Sequence, residues 1–346
     1  MNRFRIVSLT VLFVFILGYG TAWWASREPE VFDVGDLSAQ LSPEHKHIVG
    51  YTTTSALIRV LETLLSKNGG FISNDVTPPF SLLDNMPAWE LGALEMSRDL
   101  ALALRKDLSR SQSQSIENHY LKLAQPMLNI DHRSWAVPAA ETEYRSAIKQ
   151  LVLYRAALLD PAKTDSQFYT RADNLRDLLK NVEKRMGSYS QRLSVSVGQD
   201  RLNTDLAGDR NARQSTATAE SSKIKTSWWS IDDEFYEARG ACWALLHFLK
   251  AIELDFAEVL TNKNAMISLR QIIRELEATQ EPVWSPMILN GRGFGFMANH
   301  SLVMANYISR ANAALLDVCS SSGCPCCNGG YHCWPLYRRR FAFCRC

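Results

Sequence analysis

The residues best suited to bind or transform a ligand gather late in the chain. Trp284, Arg292, Asn299 and His300 offer an aromatic face, a fixed cation, an amide and an imidazole within one stretch rich in glycine and proline. Side chains of these types could line a cleft, and an imidazole paired with a carboxylate there could move protons. Asn299 and His300 also stand where the last helix should begin, a place that can hold an anion. Capping of that helix by Asn299 explains the pair more simply. The run Arg292-Gly293-Phe294-Gly295-Phe296 imitates an RNA-recognition signature, but Asn299 stands where another aromatic is wanted and no sheet surrounds it. It is not a dinucleotide fingerprint either, lacking the full spacing and a preceding strand.

Other reactive constellations fail on inspection. Ser146-x-x-Lys149 and Ser222-x-x-Lys225 both fit the nucleophile motif of penicillin-recognising enzymes, yet the companion motifs that complete that chemistry are not visible. A metal site inside a helical bundle uses paired Glu-x-x-His units; the chain has no such pair, and Glu44-His45-Lys46-His47 reads as solvated linker. His247 lies off the apolar seam of its helix, so it reads as a solvated group or a structural hydrogen-bond partner. No catalytic residue, metal ligand or cofactor is expected. Asn299 and Asn306, one heptad apart, could set helix register as buried coiled-coil asparagines do.

The elements that must position these residues begin with a greasy segment. Residues 6–24 read IVSLTVLFVFILGYGTAWW without a charge, and as a helix they span about 28 Å, close to the hydrocarbon thickness of a bilayer. Arg3 and Arg5 precede the run and Glu28, Glu30, Asp33 and Asp36 follow it, so residues 1–5 should be a cytoplasmic stub with the body across the membrane. Tyr19, Trp23 and Trp24 suit the outer headgroup belt. A cleaved signal peptide competes, with Gly20 and Ala22 as small residues at the cleavage site. The run is longer than the roughly 7–15 apolar residues of a signal core, which favours the anchor.

Residues 25–50 read as linker and 51–318 as a helical body. Phe168, Ala172, Leu175, Leu179, Val182, Met186, Tyr189 and Leu193 recur at spacings of four and three, a narrow helical seam of coiled-coil type. Ala238, Cys242, Leu245, Leu249, Ile252, Phe256 and Val259 form a second seam, preceded by Asp232, Asp233 and Glu234. No stretch sustains strand alternation. The expected fold is all-α: an N-terminal transmembrane helix, then a bundle of long antiparallel helices with coiled-coil-like seams. Polar or Gly/Pro-rich stretches at 67–86, 109–140, 197–227 and 280–296 separate the helices, and the third is a possible subdivision of the body.

Composition removes other classes. With 46% hydrophobic and 10% aromatic residues the chain can build a core. Its +2 charge misleads, because the tail 319–346 holds four arginines and no acid; the rest carries 34 basic against 36 acidic residues. Nucleic-acid binding by counterion release is not expected. Seven of the eight cysteines lie in that same tail, leaving Cys242 as a small buried hydrophobe. The tail's spacings fit no regular zinc knuckle, and an aberrant, frameshifted terminus is the preferred reading.

YTTTSALIRVLETLLSKNGGFISNDVTPP, DNMPAWELG, RLNTDLAGD, FYEARGACWALLHFLKAIELDF and SLRQIIRELEATQEPVWSPMILNGRGFGFMANHSLVMANYISRANAA span much of residues 50–318. In these strings the chain resembles domain-of-unknown-function family 2333 of proteobacteria. The resemblance implies a single-pass inner-membrane protein without assigned activity and carries no catalytic residue across. Two functions follow as expectations. The first is a periplasmic scaffold or interaction module, with partners engaged through the helix seams or by self-association. The second is an envelope enzyme acting on cell-wall or lipid substrates in a cleft near 284–300.

Overall fold

An uncharged apolar run satisfies its backbone in lipid only by coiling, and residues 6–24 do so inside α1 (Arg3–Ala25). The computed structural model describes residues 3–39, 48–111, 116–160, 162–163, 166–202, 221–285, 287–291 and 296–321. Within α1, the 21 residues Arg5–Ala25 are long and apolar enough to cross a membrane, and almost none of them touches the body. Thr10 and Thr21 donate their hydroxyls to carbonyls one turn back, so neither hydroxyl hydrogen is left unpaired on this apolar helix.

The body is all-α in class. Its helices are α2 (Gly35–Ala39), α3 (Tyr51–Ser66), α4 (Asn85–Ala103), α5 (His119–Leu128), α6 (Ala140–Leu158), α7 (Ala172–Val195), α8 (Ile231–Asp255), α9 (Ala257–Asn262), α10 (Met266–Ala278) and α11 (His300–Ser321). A small antiparallel hairpin, β1 (Gln199–Leu202) with β2 (Ser221–Ile224), pairs Gln199 with Ile224 and Leu202 with Ser221. Helix α8 is the axis of the bundle, packed by α3, α4, α7, α10 and α11, while α5 lies on α6 and α11 lies between α7 and α10. Polar contacts give the directions. Thr53 near the start of α3 bonds Asp255 at the end of α8, and Arg192 near the end of α7 pairs with Glu234 and Glu237 near the start of α8. Lys250 pairs with Glu277 and Glu253 with Arg270, so α10 also runs against α8.

Most of the first seam is buried: Leu175, Leu179, Val182, Met186, Tyr189 and Leu193 on α7, with Phe168 just ahead of it, while Ala172 is half-buried and Leu178, off the seam, is buried as well. The second seam departs from expectation. Its helix stops at Asp255 and α9 begins at Ala257, because Phe256 takes a non-helical conformation and sets its ring edge against Phe168, 5.7 Å away. Two connecting stretches also hold structure. Asn118 caps α5 inside 109–140 by accepting from the backbone of Tyr120 and Leu121, and the hairpin occupies both ends of 197–227. The cysteine-rich tail lies outside the described residues beyond Ser321, as does Glu44-His45-Lys46-His47. Cys242, the one cysteine of the body, is wholly buried, and burial pushes its thiol up to about 12.

Helices α4 and α8 approach to backbone contact through two glycines. A methyl at Gly92 would lie 1.9 Å from the Glu237 carbonyl oxygen, and one at Gly240 would lie 2.0 Å from that of Trp89. Neither obstacle is a flexible side-chain tip, so any larger residue must drive the helices apart. By contrast, a methyl at Gly187 on α7 would sit 3.6 Å from the Asn312 amide, an ordinary contact. Gly240→Ala should therefore destabilise the protein by about 3 kcal/mol or more. Gly187→Ala should be neutral or stabilise by up to about 1 kcal/mol. Chemical denaturation of both variants, followed by helical circular dichroism, distinguishes this crossing from a tolerant one.

Candidate functional site

The structure brings two of the four sequence candidates together and separates a third. Trp284 and His300 line one groove of about 330 Å³ between α8, the end of α10, the 280–285 segment and α11. Phe235, Val283 and Met304 help make the groove largely apolar, with Arg239, Glu281 and Tyr307 among its polar lining. Trp284 is 94% exposed and forms a rim instead of a floor. Asn299 faces elsewhere: its Oδ1 accepts from the Leu302 amide, and its Nδ2 donates to the Asn290 Oδ1 and the Gly291 carbonyl. It is the N-cap of α11 and the clasp of the loop before it. Arg292 lies outside the described residues. Asn306 is exposed on α11, so the expected pair of register-setting asparagines does not form.

The chemistry open to His300 is narrow. The Leu289 amide donates to its Nδ1 at 3.1 Å, and the His300 amide returns a bond to the Leu289 carbonyl. The neutral ring must then carry its proton on Nε2, where it acts as a donor. Burial lowers the pKa and keeps the ring neutral. Among the described residues no carboxylate bonds this imidazole, and no cluster of three metal-ligating side chains occurs. The groove can hold a largely apolar ligand, with His300, Glu281 and Tyr307 among the polar groups that line it.

A second groove of about 570 Å³ adjoins the first, sharing Arg239, Pro282 and Val283, with Ser26–Val31 as its other wall. Here stand the residues whose roles the sequence hid. Arg239, 5% exposed, gives Nε to both oxygens of Glu28 at 2.9 and 2.8 Å. Its Nη1 donates to the carbonyls of Thr279 and Glu281, and its Nη2 to that of Gln280. One guanidinium thus neutralises a carboxylate just beyond α1 and satisfies carbonyls left open past α10. His247 performs a matching task two turns along α8. Its Nδ1 donates to the Trp243 carbonyl at 2.7 Å, its Nε2 accepts from the Phe32 amide at 3.1 Å, and the Phe32 ring stacks on it at 3.8 Å. With Ala25 and Val34 also buried, residues 25–34 form a strap against the body.

Two further buried groups fasten backbone that lacks a hydrogen-bond partner of its own. Glu90, wholly buried, pairs with Lys67 at 2.7 Å and accepts from the amides of Ile72 and Ser73 and the Ser73 hydroxyl. Asp255 accepts from the Thr53 amide and hydroxyl at the start of α3; burial raises its pKa against those hydrogen bonds. A signal for Arg239 was present, since it interrupts a stretch of α8 that is otherwise almost entirely small or apolar. A cation placed there needs partners.

Burial pulls the His247 pKa from 6.5 to about 4. The unfolded chain therefore binds a proton that the folded chain refuses between those values, and stability is lost as pH falls from 6.5 toward 4. Full-length protein should lose up to about 3 kcal/mol through this group alone. His247→Gln, which keeps an acceptor for Phe32, should flatten that part of the pH–stability curve. An unchanged slope would show that the imidazole is not the sensor.

A family model described as uncharacterized protein conserved in bacteria (DUF2333) matches residues 2–321. The grooves, the strap and α1 from Arg3 onward all lie within the matched span. No curated protein and no solved structure matches the chain.

Proposed function

The chain belongs to the family of uncharacterized proteins conserved in bacteria, and from that premise we propose that it is a scaffold or protein-interaction module of the cell envelope. In this reading residues 6–24 cross the inner membrane once, the amino terminus is cytoplasmic, and the body over 51–318 is periplasmic. The observation that carries it is the strap. Glu28 on Arg239 and Phe32 on His247 couple the exit of α1 to the central helix of the body, where a free tether would leave them in water. Such coupling serves a protein that must present its surface at a set height and orientation. Long helices whose outer faces remain polar supply that surface. In-cell crosslinking of the full chain, read by mass spectrometry, should return the same envelope partner in independent cultures. A reporter active only in the cytosol, fused beyond α11, should stay silent. A working reporter or no reproducible partner sinks the proposal.

A second reading, an envelope enzyme acting on cell-wall or lipid substrates, draws on the one groove that Trp284 and His300 share. With Nδ1 occupied, His300 would serve it only as a hydrogen-bond donor. Incubating the purified chain with envelope lipids or peptidoglycan fragments should then yield a product that His300→Phe abolishes. Identical product profiles with and without the protein would remove this reading.

A further inference from the structure

The strap fixes which end of the bundle meets the bilayer. From Glu28 at Arg239 to Phe32 at His247 the chain climbs α8 toward its C-terminus, so the start of α8 is the end nearest α1. Other contacts gather at that end. Ala25 lies under Gly69, Ser196 after α7 bonds Asn290, and Asn74 donates to the Ser134 carbonyl. The same end carries Trp135, Trp228, Trp229, Trp284 and Phe296, whose exposures run from 64% to 107%. Trp89 and Trp243, the other described tryptophans of the body, are buried at the α4–α8 crossing. Every exposed tryptophan described in the body therefore belongs to the end of the bundle where α1 stops and the strap begins.

Burial in a protein core would waste none of these rings, yet each is presented to solvent at a cost that scales with its apolar area. Tryptophan is the residue that gains most at a headgroup boundary, where its ring meets hydrocarbon and its N–H stays hydrated. We infer that the end face of the bundle around Trp135, Trp228, Trp229, Trp284 and Phe296 rests in the outer headgroup layer of the membrane that α1 crosses. The occupant is lipid, and the argument is continuity: the strap leaves these side chains beside the exit of α1. Charge does not drive the contact, since exposed Arg27, Arg133 and Lys225 share the face with exposed Asp84 and Asp131. This inference rests on the spanning role proposed for α1.

The test uses the full chain in vesicles of phosphatidylethanolamine and phosphatidylglycerol, with a photoreactive phenylalanine derivative at single positions. Positions 135, 229 and 284 probe the face, position 13 probes α1, and positions 254 and 267 probe the opposite end. Leu254 and Ile267 are exposed there, and α8 alone is about 37 Å long. Position 13 should give lipid adducts. Positions 135, 229 and 284 should give them at least about tenfold above 254 and 267. Adducts at 13 with none at the face overturn the inference and leave the spanning role standing. Equal labelling of both ends, or protein adducts in place of lipid at the face, also overturns it. An absence of adducts at 13 overturns the spanning role and the inference with it.

Discussion

Two helices in this protein touch at their backbones, and most of what surrounds them is arranged by that fact. Helix α4 can reach α8 so closely only because Gly92 and Gly240 each omit the atom that would strike the other helix's carbonyl. The approach brings Trp89 and Trp243 to 5.1 Å between ring centroids and leaves α8 with almost no face toward water over its middle turns. A helix buried all round cannot turn its polar side chains to solvent; Arg239, His247 and Asp255 find partners inside, while the Trp243 Nε1 has none among the described residues.

Most of those partners turn out to be the irregular parts of the chain. Arg239 takes Glu28 and the carbonyls after α10, His247 takes Phe32, and Asp255 takes the first turn of α3. Glu90 on α4 does the same for the loop after α3. The four buried polar groups share one logic. Backbone without a hydrogen-bond partner of its own, in a loop or at a helix end, is held by a side chain projecting from a rigid helix. Removing one partner would strand a buried charge or amide, which is why such groups specify an arrangement more than they add to its stability.

Periodicity carried much of this architecture in plain sight. The α7 seam was legible because one side of that helix is wet, so its apolar residues recur at fixed intervals and its charges fill the rest. The same method misjudged α8. It assumed a narrow seam there and placed His247 outside it, whereas close packing on every side leaves the ring 0% exposed. Helix α5 escaped notice because ten residues containing Pro126 give too short a pattern against a polar background. At the candidate groove, proximity in sequence was a poor guide to proximity in space. Trp284 and His300 meet across the mouth of one cavity, while Asn299, adjacent to His300, is consumed by capping the helix that presents its neighbour. Helical side chains one residue apart point about 100° apart, and a cap residue has already left the helical path.

The strap has a mechanical corollary. Because Glu28 is clasped by a guanidinium that also grips the carbonyls of Thr279, Gln280 and Glu281, a force on the tether meets no slack. A change in tilt of α1 is passed through Glu28 to α8 and to the terminus of α10 together. The loop that carries Trp284 is thereby linked to the attitude of α1.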